Sequence, residues 1–89
     1  MEDNILTFRR EGLYCEAGDF YVDPRGRVDR AIITHAHSDH ARAGHKNYLC
    51  SDPCKALLQV RIGQKSPIES IPFGQEQMIG KARVSFHPA

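Results

Sequence analysis

The sequence contains only three cysteines and no long hydrophobic run, and each scarcity argues against a class of protein. Its apolar stretches, such as residues 20–22 and 31–33, are far shorter than the roughly 20 residues needed to span a bilayer. The acidic start, residues 1–4, is unlike a signal peptide. These absences predict a protein without a membrane span, for which the cytoplasm is the default location.

The cysteine pattern does not suit a secreted protein. Cys15, Cys50 and Cys54 are an odd number and include no C-x-x-C pair, so they do not form a disulfide framework. Cys50 and Cys54 could join a metal site, but no second Cys or His pair follows at the spacing of a zinc finger. We therefore favour ordinary buried or surface thiols and keep metal ligation as the minor alternative.

Charge of one sign is also lacking. Twelve Lys and Arg stand against eleven Asp and Glu, which gives a net charge of +1 and no global bias toward nucleic acid or membrane. The length of 89 residues fits one small domain at most. A hydrophobic content of 40% and a charged content of 26% are ordinary for a folded soluble chain, so we expect one partial or small domain over residues 1–89.

Short apolar segments separated by turn signals predict a sheet of short strands. The first three read as a meander that opens the sheet, and the consecutive Ala31, Ile32 and Ile33 predict a strand covered on both faces. The predicted strands are residues 6–8, 13–15, 20–22, 28–34, 47–50, 68–71, 77–79 and 82–86.

One helix is predicted clearly. Asp52 is the expected N-cap, Pro53 suits the first helical position, and Gly63 ends the helix after about Ile62. The predicted fold class is therefore mixed α and β (α/β or α+β), with mostly short strands and one or two helices.

A cluster of possible metal ligands follows the strand that ends at Thr34. The twelve residues from Thr34 to His45 hold four of the five histidines and one aspartate. In an extended segment His35 and His37 point to the same side and can reach one metal, while Asp39 and His40 can curl toward a second. Histidine and carboxylate are ordinary zinc ligands, so the spacing predicts a two-zinc hydrolytic site.

Simpler interpretations of these residues remain open. The cluster could be a polar surface loop, or Asp39 could cap a short helical turn from His40 to Ala43. His45 follows Gly44 and reads as an outer-shell or surface group. A lone histidine such as His87 is more often structural than a metal ligand.

The segment from Thr34 to His40 resembles the H-x-H-x-D-H motif of the metallo-β-lactamase superfamily. Neighbouring segments further resemble the bacterial branch known as ligase-associated DNA exonuclease or mRNA 3′-end processing factor, which is akin to the β-CASP nucleases. The segments that carry this second resemblance are residues 13–15, 18–24, 28–31 and 41–45.

The resemblance implies roles for five residues. His35 and His37 would bind the first zinc and Asp39 and His40 the second, while Asp39 would also help position the attacking hydroxide as the catalytic residue. Asp23 looks like the aspartate of the family's first motif and would orient the metal loop through hydrogen bonds. As a turn aspartate before a proline, Asp23 has a structural interpretation of equal weight.

The chain also departs from the family's pattern. In the family, a segment like residues 86–89 is followed by Gly-His, and that histidine and two later ligands are missing here. The resemblance thus implies the N-terminal portion of an αβ/βα sandwich. We expect the 89-residue chain to bind zinc weakly and to hydrolyse nothing by itself; the sequence leaves its oligomeric state open.

Three functions follow from this pattern. The first is a zinc-dependent nuclease in the full-length protein, with DNA or RNA as its partner and substrate and a place in DNA repair or RNA processing. The second is a hydrolase of thioesters, lactones or β-lactams, and the third is a non-catalytic truncated or binding module. Basic residues near the cluster either meet phosphates or form a solvated face: Arg25, Arg27, Arg30, Arg42 and Lys46.

Overall fold

The computed structural model describes residues 6–34, 42–63 and 65–88. Within these ranges the chain forms eight short strands and one helix, which confirms the predicted mixture of α and β structure. The strands are β1 (Leu6–Arg9), β2 (Gly12–Cys15), β3 (Phe20–Val22), β4 (Arg30–Ile32), β5 (Asn47–Ser51), β6 (Ile68–Ile71), β7 (Gln77–Ile79) and β8 (Ala82–Val84), and the helix α1 (Asp52–Ile62) lies between β5 and β6.

Six strands form the main sheet in the order of the sequence, from β1 to β6. The first three pair antiparallel, so the predicted meander is confirmed, and β3 to β6 then run parallel to one another. Parallel neighbours need a crossover, and α1 supplies the one between β5 and β6. The carboxyl ends of four adjacent strands therefore meet at one edge of the sheet.

The main sheet is covered on both faces because its central strands alternate between two apolar clusters. Ala31 and Ile33 lie on the same side as Leu58 of α1. Ile32 lies on the other side with Phe20 and Phe86. Ala31, Ile32 and Ile33 are all buried, so the prediction of a strand covered on both faces is confirmed.

The hairpin of β7 and β8 covers the second face. Ile79 at the end of β7 and Ala82 in β8 pack against the cluster that contains Phe20. At the tip, the backbone N–H of Lys81 donates to the carbonyl of Ala17 at 2.8 Å. Gly80 has φ +59°, and a Cβ there would lie 2.8 Å from the same carbonyl, so this close approach requires glycine.

The helix α1 agrees with its predicted range apart from its cap. Ser51 occupies the N-cap position without a side-chain cap bond, and Asp52 is the first helical residue rather than the cap, so the predicted capping role of Asp52 is wrong. A carboxylate in the first turn still stabilises the positive end of the helix dipole. Gly63 ends the helix at φ +109°, and its N–H donates to the carbonyl of Gln59.

Two strands are shorter than predicted, and side-chain or loop hydrogen bonds explain both ends. Residues 28–34 were expected to be a strand, but the N–H of Val28 donates to the His45 ring and that of Thr34 donates to the Asp23 carboxylate. The strand predicted to reach Phe86 ends at Val84, since the carbonyl of Phe86 accepts a hydrogen bond from Gly74 in the loop after β6. None of the helices in the described part of the chain is long and apolar enough to cross a membrane.

Candidate metal centre

The described residues that precede and surround the candidate motif lie at the carboxyl edge of the parallel strands. Asp23 directly follows β3, Thr34 lies two residues beyond β4, and Ser51 ends β5 where α1 begins. Parallel α/β sheets commonly place their chemistry at this edge because loops converge there on a rigid scaffold. The H-x-H-x-D-H segment begins at the next residue after Thr34.

The Asp23 carboxylate fixes Thr34 through two hydrogen bonds. The Thr34 N–H donates to Oδ1 at 2.9 Å, and the Thr34 hydroxyl donates to Oδ2 at 2.6 Å. The Asp23 N–H donates to the carbonyl of Ile32 at 2.8 Å, which fixes the aspartate itself to β4. Asp23 has φ +46°, a left-handed conformation that Asp and Asn adopt more readily than most residues. The two oxygens of the Asp23 carboxylate therefore define the direction of the chain at Thr34.

The residues with predicted metal-binding and catalytic roles lie outside the described residues. These are His35, His37, Asp39 and His40, so their ligation and the catalytic role of Asp39 stay predictions. The first half of the alternative helical turn, His40 and Ala41, also lies outside the described residues, while Arg42 and Ala43 are described and are not helical. Three imidazoles and one carboxylate are a set of donor groups that zinc commonly binds.

After the motif, the described residues resume at Arg42, and hydrogen bonds hold the chain between Arg42 and Lys46. The Tyr48 hydroxyl donates to the carbonyl of Arg42 at 2.6 Å and accepts from the N–H of His45 at 3.2 Å. Two further hydrogen bonds, both of 3.1 Å, join Val28 to this turn of residues 42–46. The Val28 N–H donates to Nδ1 of His45, and the Lys46 N–H donates to the Val28 carbonyl.

His45 is a buried group, with 6% of its surface exposed, so its interpretation as a surface group is wrong. Since Nδ1 accepts the Val28 N–H, the neutral ring carries its proton on Nε2. Among the described residues Nε2 has no hydrogen-bond partner. Burial lowers the pKa of His45, which keeps the ring neutral. An outer-shell role for His45 stays a prediction.

Cys50 and Cys54 lie beside this edge as neutral thiols. All three cysteines are free and buried, in line with the favoured interpretation. Burial raises the pKa of Cys50 to about 12. Burial also raises the pKa of Cys54, and the negative charge of Asp23 raises it further. In the part of the chain that the structure describes, no three His, Cys, Asp or Glu side chains come together as a possible metal site.

His87 is exposed, and its Nε2 lies 3.0 Å from the hydroxyl of Ser85. The bond between the Gly74 N–H and the Phe86 carbonyl brings this segment next to the loop that follows β6. His87 thus follows a segment at the carboxyl edge, although nothing in its described contacts marks it as a ligand.

The basic residues singled out from the sequence are all exposed: Arg25, Arg27, Arg30, Arg42 and Lys46. Arg30 begins β4 and so lies at the edge opposite Thr34, whereas Arg42 borders the candidate segment. A groove of about 420 Å³ between the main sheet and the hairpin includes Arg30, Asn47 and Glu69 in its lining. Because these residues are the first or second of their strands, this part of the groove lies at the edge of the sheet opposite Thr34.

Sequence reasoning missed the contact between Tyr48 and Arg42. Tyr48 reads as an ordinary apolar residue of a short strand, and nothing in the spacing says where its hydroxyl points. The unusual density of bonds around Val28, His45 and Tyr48 becomes visible only when β4 and β5 are paired.

Comparison with curated proteins relates this chain to a DNA-processing protein. It is 38% identical over 79 residues to a probable DNA ligase of Opitutus terrae. Those residues make up 88% of this chain but only 8% of the relative's length, so the similarity concerns a small part of a much longer protein. No family model matches the chain, and no solved structure matches it.

Proposed function

We propose that this chain is part of a zinc-dependent, metallo-β-lactamase-fold nuclease that hydrolyses phosphodiester bonds in DNA. The observation that carries the proposal is the placement of Thr34. It lies at the carboxyl edge of a buried parallel sheet, it is bound by Asp23 through two hydrogen bonds, and the H-x-H-x-D-H residues follow it directly.

The residues divide into ligands and supports. His35 and His37 would hold one zinc, and Asp39 and His40 a second, while Asp23 would keep the start of the segment aligned. Zinc at such a site would supply Lewis acidity toward the phosphodiester oxygens. Asp39 would orient the attacking water by accepting a hydrogen bond from it.

The choice of DNA rests on the similarity to a protein named as a probable DNA ligase. The shared part is a small fraction of that protein, so ligation itself is not carried over to this chain. A nuclease that trims DNA ends fits a segment that is similar to part of a probable DNA ligase, and it agrees with the ligase-associated exonuclease resemblance. An RNA substrate, or hydrolysis of thioesters, lactones or β-lactams, would use the same motif and is the alternative.

The first experiment measures zinc bound by the purified chain in equilibrium dialysis over a range of free zinc concentrations, so that weak binding is also detected. The wild type is compared with a His35→Ala, His37→Ala double variant and with a Lys65→Ala, Lys81→Ala double variant as a control. Both control lysines are exposed and lie outside the motif. Zinc that is lost only in the histidine variant would support the proposal, and a wild type without zinc would contradict a metal site in this chain.

Activity is then measured on the product of the complete open reading frame that contains these residues. Single-stranded and double-stranded DNA, RNA of the same sequence and a chromogenic β-lactam are offered in parallel. We expect nucleotides to be released from DNA only when zinc is present, and we expect Asp39→Asn to abolish this release. Turnover of the β-lactam with DNA left intact would favour the alternative hydrolase.

A further inference from the structure

A single buried oxygen joins the two ends of the turn that follows the candidate metal segment. The Tyr48 hydroxyl donates to the backbone carbonyl of Arg42 at 2.6 Å and accepts from the backbone N–H of His45 at 3.2 Å. We call this pair of bonds the Tyr48 latch. Arg42 is the first described residue after the segment 35–41, so the latch acts on its carboxyl flank.

Tyr48 itself is rigidly placed. Only 3% of its surface is exposed, and it lies in β5 with β4 on one side and β6 on the other. Its own N–H donates to the Pro67 carbonyl at 3.0 Å. Burial raises the pKa of Tyr48, so the hydroxyl keeps its proton and remains a donor.

The His45 side chain reinforces the same turn from the other side. Its ring contacts the Tyr48 ring with centroids 5.2 Å apart, and its Nδ1 accepts the Val28 N–H. The turn is therefore attached to β5 through Tyr48 and to the segment before β4 through Val28.

From this geometry we infer that Tyr48 is a positioning residue for the H-x-H-x-D-H segment: it fixes the carboxyl flank at Arg42, as Asp23 fixes the amino flank at Thr34. This inference rests on the proposed function, because the segment that Tyr48 would position is the proposed zinc-binding segment. It adds a positioning residue that acts through the backbone groups of Arg42 and His45.

The latch is tested first without metal. Trypsin cleaves after Arg42, and cleavage requires the carbonyl that Tyr48 holds. In excess chelator, Tyr48→Phe is expected to be cleaved at Arg42–Ala43 roughly threefold to tenfold faster than wild type, the equivalent of losing the bond from Tyr48 to the Arg42 carbonyl when cleavage follows local opening. Cleavage at the exposed Lys65–Ser66 bond serves as an internal reference and is expected to stay unchanged.

Tyr14→Phe is the matched control variant. It also removes a hydroxyl bond, from Tyr14 to Asp19 Oδ1 at 2.7 Å, and that bond involves neither Arg42 nor His45. Its cleavage at Arg42 is expected to equal that of wild type. If Tyr48→Phe is cleaved at Arg42 no faster than wild type, the latch does not hold the turn and the inference is overturned, whatever zinc does.

Zinc affinity then separates the latch from the proposed metal site. Competition with a chromophoric chelator is expected to give about tenfold weaker binding for Tyr48→Phe, because supports behind metal ligands typically change affinity by 10-fold to 100-fold, and no change for Tyr14→Phe. Equal affinity in Tyr48→Phe and wild type would overturn the positioning role while leaving the metal site standing. Zinc absent from wild type and from the His35→Ala, His37→Ala variant alike would overturn the metal site and the positioning role together.

Discussion

The two hydrogen bonds between Asp23 and Thr34 lead to a prediction that a double-mutant cycle can test. Thr34→Val removes the hydroxyl donor and keeps the branched shape, while Asp23→Asn removes the charge and keeps a side chain that tolerates φ +46°. Hydrogen bonds to charged groups contribute about 1.5–3 kcal/mol, but Thr34 is exposed and water competes for it. We expect a coupling free energy of about 1 kcal/mol, at the low end of what a pair in direct contact shows.

The assay is urea unfolding of the four proteins of the cycle at pH 7. With a slope of about 1 kcal/mol per molar urea for a chain this small, the coupling corresponds to a difference of roughly 1 M in midpoint. Asp29→Asn is the matched control, since it removes the same charge from an exposed carboxylate 3.8 Å from Lys46 Nζ. That substitution is expected to change the free energy of unfolding by less than about 0.5 kcal/mol.

Additivity of the two substitutions to within about 0.3 kcal/mol would refute the reasoning. It would mean that Asp23 and Thr34 do not stabilise one another in solution. Asp23 would then be a turn residue before Pro24, the structural interpretation that its sequence context also allowed.

Three further predictions concern the core and the buried titratable groups. Leu58→Ala, in the fully buried position of α1, is expected to lower the free energy of unfolding by about 2–5 kcal/mol, while Leu57→Ala, at a position 63% exposed, should change it little. The Cys50 thiol, with its pKa raised to about 12, should react with iodoacetamide at pH 8 only as fast as the protein unfolds; rapid native labelling would contradict its burial. Burial lowers the pKa of His45 below 6.5, so the unfolded state binds a proton at a higher pH than the folded state does, and the free energy of unfolding should fall as pH drops through and below 6.5. His45→Asn keeps an acceptor for the Val28 N–H and should flatten this fall. A pH profile of stability that is unchanged in His45→Asn would refute the prediction.

The positions of the strands could be predicted because their signals are local. Short apolar segments between turn residues place β1, β2, β3, β6 and β7 to within a residue or two of their observed ends. The strand before the metal motif differs most, since its predicted range of residues 28–34 contracts by two residues at each end to Arg30–Ile32. Its terminal N–H groups bond to side chains that are 17 and 11 residues away in the sequence, and no local pattern encodes such partners.

The supports of the candidate site could be predicted only in part for the same reason. Asp23 was recognisable because it ends a strand and matches a motif, although the motif does not name Thr34 as its partner. Tyr48 and His45 carry no comparable signal. The burial of His45 and the direction of the Tyr48 hydroxyl depend on the pairing of β4 with β5, which is a property of the folded sheet.

The order of the strands explains why the motif needs this sheet. β3 and β5 are the two neighbours of β4, and each supplies or borders one polar side chain that fixes a flank: Asp23 follows β3, and Tyr48 lies in β5. Ordering a backbone residue costs about 1–2 kcal/mol, so a flexible segment with both flanks free would have to be ordered largely by its ligands. Here hydrogen bonds to Asp23 and Tyr48 hold Thr34 and Arg42 within the folded sheet, so ligand binding need not supply the free energy of ordering these two flanks. The same H-x-H-x-D-H residues in a free peptide would lack both supports, which is why spacing alone does not define the site.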